Sequence, residues 1–169
     1  LERNVLREDL HGDSLDLWLT TLKRLQRDRY AQEQLEAFAQ KFPRKVEFIY
    51  ALGVIAQRAG EISIARPALQ KANELSPNNF RILYEMGVME RVAGNIERSQ
   101  ELIGQSLALN GAQPAALRTY GNDYTYAYGD PIFTRLNVAA ARLAESSPME
   151  QIHLHYALAK AFDDVNELD

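Results

Sequence analysis

Two glycines, Gly53 and Gly87, stand 34 residues apart in stretches that otherwise read as helix, and this spacing constrains the fold more than any other feature. Each follows a large apolar residue, Leu52 or Met86, and each precedes another glycine, Gly60 or Gly94, at the same remove. Glycine inside a helix costs about 1 kcal/mol relative to alanine. A costly residue that returns at a fixed interval implies a need that returns with it, here the close approach of two helices. The matching small surface lies on the run that follows, where Ala65 and Ala72, then Ser99 and Ser106, recur at helical spacing. Gly60 and Gly94 suit the left-handed position that closes a helix. Pro43 and Pro77 end helices and open the next unit.

The same shift continues in both directions. Forward it gives Tyr120-Gly121 and Tyr124, with Gly129 one residue late, and then, after slippage, Leu158-Ala159, Phe162 and Asn166. Backward it gives Ala31, Leu35 and Phe38, preceded by Trp18, Leu19 and Leu22. On these residues the sequence resembles the tetratricopeptide (TPR) family, whose unit places a large apolar residue and Gly in its first helix, small residues in its second and Pro after it. Residues 46–79 match at nearly every position. In 80–113, Gly111 stands where Pro is expected, and in 12–45 Leu19 takes the place of the small residue. The resemblance implies an all-α, right-handed superhelical α-solenoid of about four to five TPR helix-turn-helix hairpins, the first and last degenerate. The units are 12–45, 46–79, 80–113, 114–148 and a partial 149–169, forming one domain, with 1–11 as a cap or frayed segment. Gly129-Asp130-Pro131 is read as a turn into a helix, and Ser146-Ser147-Pro148-Met149-Glu150 as a helix start with an N-cap, Pro and an acidic first turn. Each hairpin leaves apolar faces that only stacking can cover.

A second resemblance covers the last two units. Gly129–Leu136, followed by His153-Leu154-His155-Tyr156-Ala157-Leu158-Ala159-Lys160-Ala161-Phe162-Asp163-Asp164, is similar to the region that precedes the catalytic module of bacterial TPR-containing sulfotransferases. Ala159 departs from it where Gly is usual, and so does Asn166. The resemblance implies that the chain is the non-catalytic N-terminal part of a larger sulfotransferase-like protein. No strand–loop–helix phosphate cradle or Walker-type loop occurs here.

Composition narrows the chemistry. With 19 basic and 23 acidic residues the net charge is −4, so no positive field points to nucleic acid. The absence of cysteine removes disulfides, thiolate metal sites and a cysteine nucleophile. No apolar run approaches the ~20 residues that span a bilayer, and residues 1–9 carry mixed charge rather than a leader's apolar stretch. The expected location is the cytoplasm. His153 and His155 form an H-x-H pair, but residues two apart on a helix point about 200° away from each other and cannot chelate one ion. His155 is read as core-facing, His153 as lining a groove and His11 as solvated. Asp163, Asp164, Glu167 and Asp169 lack the glycine and terminal Glu of a calcium loop and are read as an acidic helix end. Tyr120 and Tyr124 fall at core positions. No metal, cofactor or catalytic residue is expected.

The remaining expectation concerns the concave face of such a stack. Its inward positions are Tyr50, Val54, Gln57 and Arg58 in the second unit, and Arg81, Tyr84, Val88 and Arg91 in the third. The fourth contributes Arg118, Asn122, Thr125 and Tyr126, and the last His153, Tyr156 and Lys160. In an acidic protein this concentrates Arg and Tyr, which are favoured at binding hot spots. The proposed binding set is Tyr50, Arg58, Arg81, Tyr84, Arg91, Arg118, Asn122, Tyr126 and Lys160. It suits a protein or an extended, acidic peptide. The bland alternative pairs each Arg with a nearby carboxylate such as Glu47 or Glu85. The chain is thus expected to be an interaction module, not an enzyme. The alternative is an element that packs on another copy or on a further domain.

Overall fold

The computed structural model describes residues 12–141 and 146–166, and every regular element among them is a helix. Residues 1–11, and with them His11, lie outside, as do Glu167 and Asp169. The chain divides into two compact units, one running to Pro77 and the other from Asn78.

The first unit holds α1 (Gly12–Arg24), α2 (Asp28–Lys41), α3 (Val46–Arg58) and α4 (Ile62–Leu75). The central pair, α3 and α4, carries the glycine motif. A Cβ on Gly53 would lie 2.7 Å from Leu69 Cγ and 3.3 Å from the Leu69 backbone nitrogen, so only glycine lets α4 come this near. Ala65 and Ala72 of α4 are fully buried. Gly60, at φ +79, ends α3. Its N–H donates to Gln57 O at 3.0 Å and that of Glu61 to Ala56 O at 2.8 Å, the paired bonds of a Schellman stop. Helix α2 packs on α3 through Phe38, Phe42 and Phe48, whose ring centres lie 5.3–6.0 Å apart. Gln32 of α2 also donates to Glu61 at 2.7 Å.

The second unit holds α5 (Phe80–Val92), α6 (Ile96–Leu109), α7 (Pro114–Gly121), α8 (Pro131–Ala140) and α9 (Pro148–Asn166). Helices α5 and α6 repeat the device. Gly87 faces Ile103, Gly94 sits at φ +85, and Asn95 N–H donates to Glu90 O at 2.8 Å. Ser99 and Ser106 are buried, and the Ser106 hydroxyl donates to Phe80 O at 2.7 Å, fastening α6 to the start of α5.

The fourth unit departs from the pattern. Helix α7 stops after eight residues, and it packs chiefly on α9 rather than on α8. Gly121 still marks a close approach, but its space is filled by the Tyr126 ring, with Cζ 3.2 Å from where a Cβ would be. Asp130 then caps α8 by accepting from Ile132 N–H at 2.7 Å, with Pro131 in the first turn and Gly129 at φ +80. Ser147 and Glu150 close a reciprocal capping box on α9, as the Ser-Ser-Pro-Met-Glu run indicated. The buried stripe of α9 is Leu154, Ala157, Ala161 and Val165. His155 follows Leu154 by one residue, about 100° round the helix, and is exposed. Its expected core-facing position is therefore corrected.

Candidate binding face

Tyr50 and Arg58 belong to the first unit. Tyr50 is half-buried on α3 and Arg58 exposed at its end. A shallow, open depression in that unit, lined by Glu36, Ala39, Gln40, Leu52 and Ile64, contains neither. The other expected residues all lie in the second unit. Arg81 is exposed at the start of α5 with its guanidinium 5.8 Å from the Phe80 ring centre. Tyr84, half-buried, packs against the core. Asn122 is exposed as the residue that caps the end of α7.

Two of the expected cations have partners within the protein. Arg91 forms an ion pair with Asp123, which ties the last turn of α5 to the turn after α7. Here the pairing alternative holds, with a carboxylate from a different helix pair than expected. Lys160 donates to the Tyr124 carbonyl at 3.0 Å and to Asp164 Oδ2 at 2.6 Å, and lies 5.9 Å from the Tyr126 ring centre. Asp164 in turn accepts from Tyr126 N–H at 3.1 Å. Burial works to raise the Asp164 pKa, but the hydrogen bonds from Lys160 and Tyr126, with the Lys160 charge, outweigh it and hold the carboxyl below its ordinary value. Lys160 is thus part of a clasp that fastens the loop after α7 to α9, rather than a free groove cation.

Tyr126 requires a larger correction. It was expected to face a ligand and is instead 0% exposed, in the core with Leu117, Leu136 and Leu154. The physical reason is the early end of α7: beyond Gly121 the helical register no longer applies, and the extended chain turns the ring inward. Tyr120 and Tyr124 pack partly buried around it, as expected, with ring centres 5.0 Å apart. The Tyr124 hydroxyl donates to Asp130. That bond, with burial and the Asp130 charge, pushes the Tyr124 phenol up to about 12. Burial first, then the charges of Asp130 and Asp164, raises Tyr126 further.

A phenol whose folded pKa is raised contributes stability that is complete below its unfolded value of about 10 and is lost as pH climbs through the folded value. In alkaline titration followed by phenolate absorbance, Tyr124 is expected to ionise only at about pH 12, and Tyr126 later still, together with loss of helical circular dichroism. Ionisation of all eight tyrosines near pH 10 in the folded protein would contradict the buried cluster.

Arg118 remains. It reaches from α7 to α9, its guanidinium carbon 4.8 Å from the Tyr156 ring centre and Nη1 3.1 Å from His153 Nδ1. Thus two side-chain ties run through the second unit: Arg91 and Asp123 join the end of α5 to the turn after α7, and Arg118 joins α7 to α9. Residues that position counting missed are the carboxylates Asp123, Asp130 and Asp164, and the exposed apolar Met149 and Ile152 of α9. The last two were findable from their three- and four-residue spacing with Tyr156. Among the described residues no helix is long and apolar enough to cross a membrane, and no three His, Asp or Glu side chains come together as a metal site.

No family model matches the sequence, and no curated protein does. Solved structures match in shape. A crystal structure of MamA superposes with a TM-score of 0.59 at 16% identity, over 98% of this chain and 80% of that one. A second MamA structure gives 0.58 at 18%, over 93% and 73%. A variant of the O-GlcNAc transferase of Thermobaculum terrenum gives 0.64 at 19%, over 78% of this chain but only 26% of that one. Likeness at such identity establishes the fold alone, an all-α, TPR-like α-solenoid.

Proposed function

We propose that the chain is a non-catalytic protein-interaction scaffold that holds a protein or extended peptide against its first helices. The observation that carries this reading is the pair of ties that join α5 to the turn after α7, and α7 to α9, in the second unit. In support, α5 carries the exposed Arg81 and half-buried Tyr84, α7 the half-buried Arg118 with the exposed Asn122 after it, and α9 the exposed Tyr156. Large aromatic and guanidinium side chains so arranged combine apolar area with directional hydrogen bonds at small entropic cost. The TPR-like fold agrees, because stacked hairpins present an extended inner surface.

Photo-crosslinking tests the reading. A photoreactive phenylalanine analogue at position 122 or 81 is expected to capture a discrete partner, whereas the same group at the exposed Gln105 of α6 does not. Equal capture from Gln105 would place binding elsewhere, and adducts only with a second copy would favour the self-association alternative. A finer reading is that this scaffold serves a larger sulfotransferase-like protein. Its support is the similarity of Gly129–Leu136 and His153–Asp164, now placed at the start of α8 and along α9. That a solved transferase chain is matched over 26% of its length shows that a larger enzyme can contain a region of this shape. A parent gene without a phosphate-cradle strand and helix downstream would remove this finer reading and leave the scaffold intact.

A further inference from the structure

The junction of α7 and α9 holds a cation that nothing among the described residues neutralises. Among the described residues no carboxylate pairs with Arg118, whose side chain contacts are the Tyr156 ring and His153 Nδ1. A guanidinium only donates, so His153 Nδ1 accepts and the ring proton sits on Nε2. Burial, then the Arg118 charge, holds the His153 pKa below its ordinary value, with Glu150 opposing. Glu150 is itself engaged, accepting from Ser147 N–H at 2.8 Å. Helix α8 carries one charged residue, Arg135, whose Cδ lies against Gly111, 3.5 Å from where a Cβ would be. The junction therefore keeps a positive charge, half withdrawn from water, where attraction to an anion is stronger than at an open surface.

Beside it runs an apolar strip. Met149, Ile152 and Tyr156 are 61%, 57% and 54% exposed, and their spacing of three and four residues places them on one side of α9. His153 lies at the edge of that strip, toward the buried stripe.

We propose that this junction anchors an acidic peptide, its carboxylate on Arg118 beside His153 and an adjoining apolar side chain laid over Met149, Ile152 and Tyr156. The proposal deepens the interaction-scaffold reading and rests on it. A carboxylate accepts two parallel N–H bonds from a guanidinium, which phenol or backbone groups cannot reproduce. A ligand's negative charge also favours protonated His153, so binding strengthens as pH falls through the histidine range.

The test uses N-acetylated, C-amidated tripeptides, Leu-Asp-Leu and Leu-Asn-Leu, titrated into the full chain while the His153 and Tyr156 ring signals are followed by NMR. The Asp peptide is expected to shift both signals saturably and to raise the His153 titration midpoint. The Asn peptide, or the Asp peptide with Arg118→Gln, should bind about tenfold more weakly, as loss of one charge-assisted contact implies. Ile152→Ser, on the solvent side of α9, should weaken the Asp peptide without disturbing the fold. Equal response to both peptides, a response untouched by Arg118→Gln in a protein of unchanged circular dichroism, or the same shifts from sodium phosphate at equal concentration would each overturn the proposal. Capture of a partner from positions 122 and 81 with no peptide effect at His153 would sink this anchor alone. Peptide binding at His153 with capture no better than from Gln105 would sink the broader reading.

Discussion

Gly87→Val is expected to destabilise the second unit by about 3 kcal/mol, near the upper end of the usual cost of forcing extra atoms into a packed core. A Cβ at this position would lie 2.5 Å from Ile103 Cγ1 and 3.2 Å from the Ser99 carbonyl oxygen. The first atom belongs to a branched side chain anchored close to the backbone, and the second is backbone itself, so neither can swing clear. Against this, removing glycine from a helix interior returns at most about 1 kcal/mol. The steric term wins. The cause can be isolated by a cycle: Ile103→Ala opens the space that a Cβ at 87 needs. Gly87→Ala combined with Ile103→Ala should therefore cost less than the two changes added, by about 1 kcal/mol. Urea unfolding followed by circular dichroism measures each variant. Strict additivity would show that contact with Ile103 is not what excludes a side chain here.

That device was legible from sequence because it occurs twice intact. Gly53 meets Leu69 and Gly87 meets Ile103, the filler standing sixteen residues after its glycine in both cases. A need set by backbone approach leaves the same mark each time it recurs. The Schellman stops at Gly60 and Gly94 were legible for a related reason, since φ values of +79 and +85 exclude most other residues at low cost. The fourth unit was not legible. Gly121 keeps its place in the 34-residue series, but its filler is Tyr126, five residues on, and position counting still treated 122–126 as helix. The candidate face was legible to the extent that it depends on helical register. Arg81, Arg118 and Asn122 are at least partly exposed on or beside first helices, whereas Arg91 and Lys160 are engaged by Asp123 and Asp164. Lys160 and Asp164 stand four apart on α9, a spacing that one helix encodes, whereas the meeting of Arg91 with Asp123 depends on how α5 and the turn after α7 pack, and no spacing within one helix encodes it.

Tyr126→Ala is expected to be the more damaging change, costing about 4 kcal/mol in line with other large-to-small aromatic truncations in cores. The side chain is 0% exposed and fills the space beside Gly121. It also meets Tyr124 and Phe133 edge-on, with ring centres 5.4 and 6.3 Å away. Alanine would leave a void at the meeting point of α7, α8 and α9, among Leu117, Leu136 and Leu154. Tyr126→Phe should behave oppositely. Among the described residues the buried hydroxyl has no hydrogen-bond partner, and a buried polar group without one costs about 1–3 kcal/mol. It occupies the space that a Cβ on residue 121 would need. Its removal is therefore expected to leave stability unchanged or raise it by about 1 kcal/mol. Denaturant midpoints for the two variants separate a packing role from a binding role. A ligand-facing Tyr126 would tolerate alanine in folding and lose affinity with phenylalanine, whereas a core Tyr126 does the reverse. The phenylalanine variant should accordingly retain the partner that crosslinks from position 122, and an alanine variant that unfolds at the wild-type midpoint would return Tyr126 to the surface.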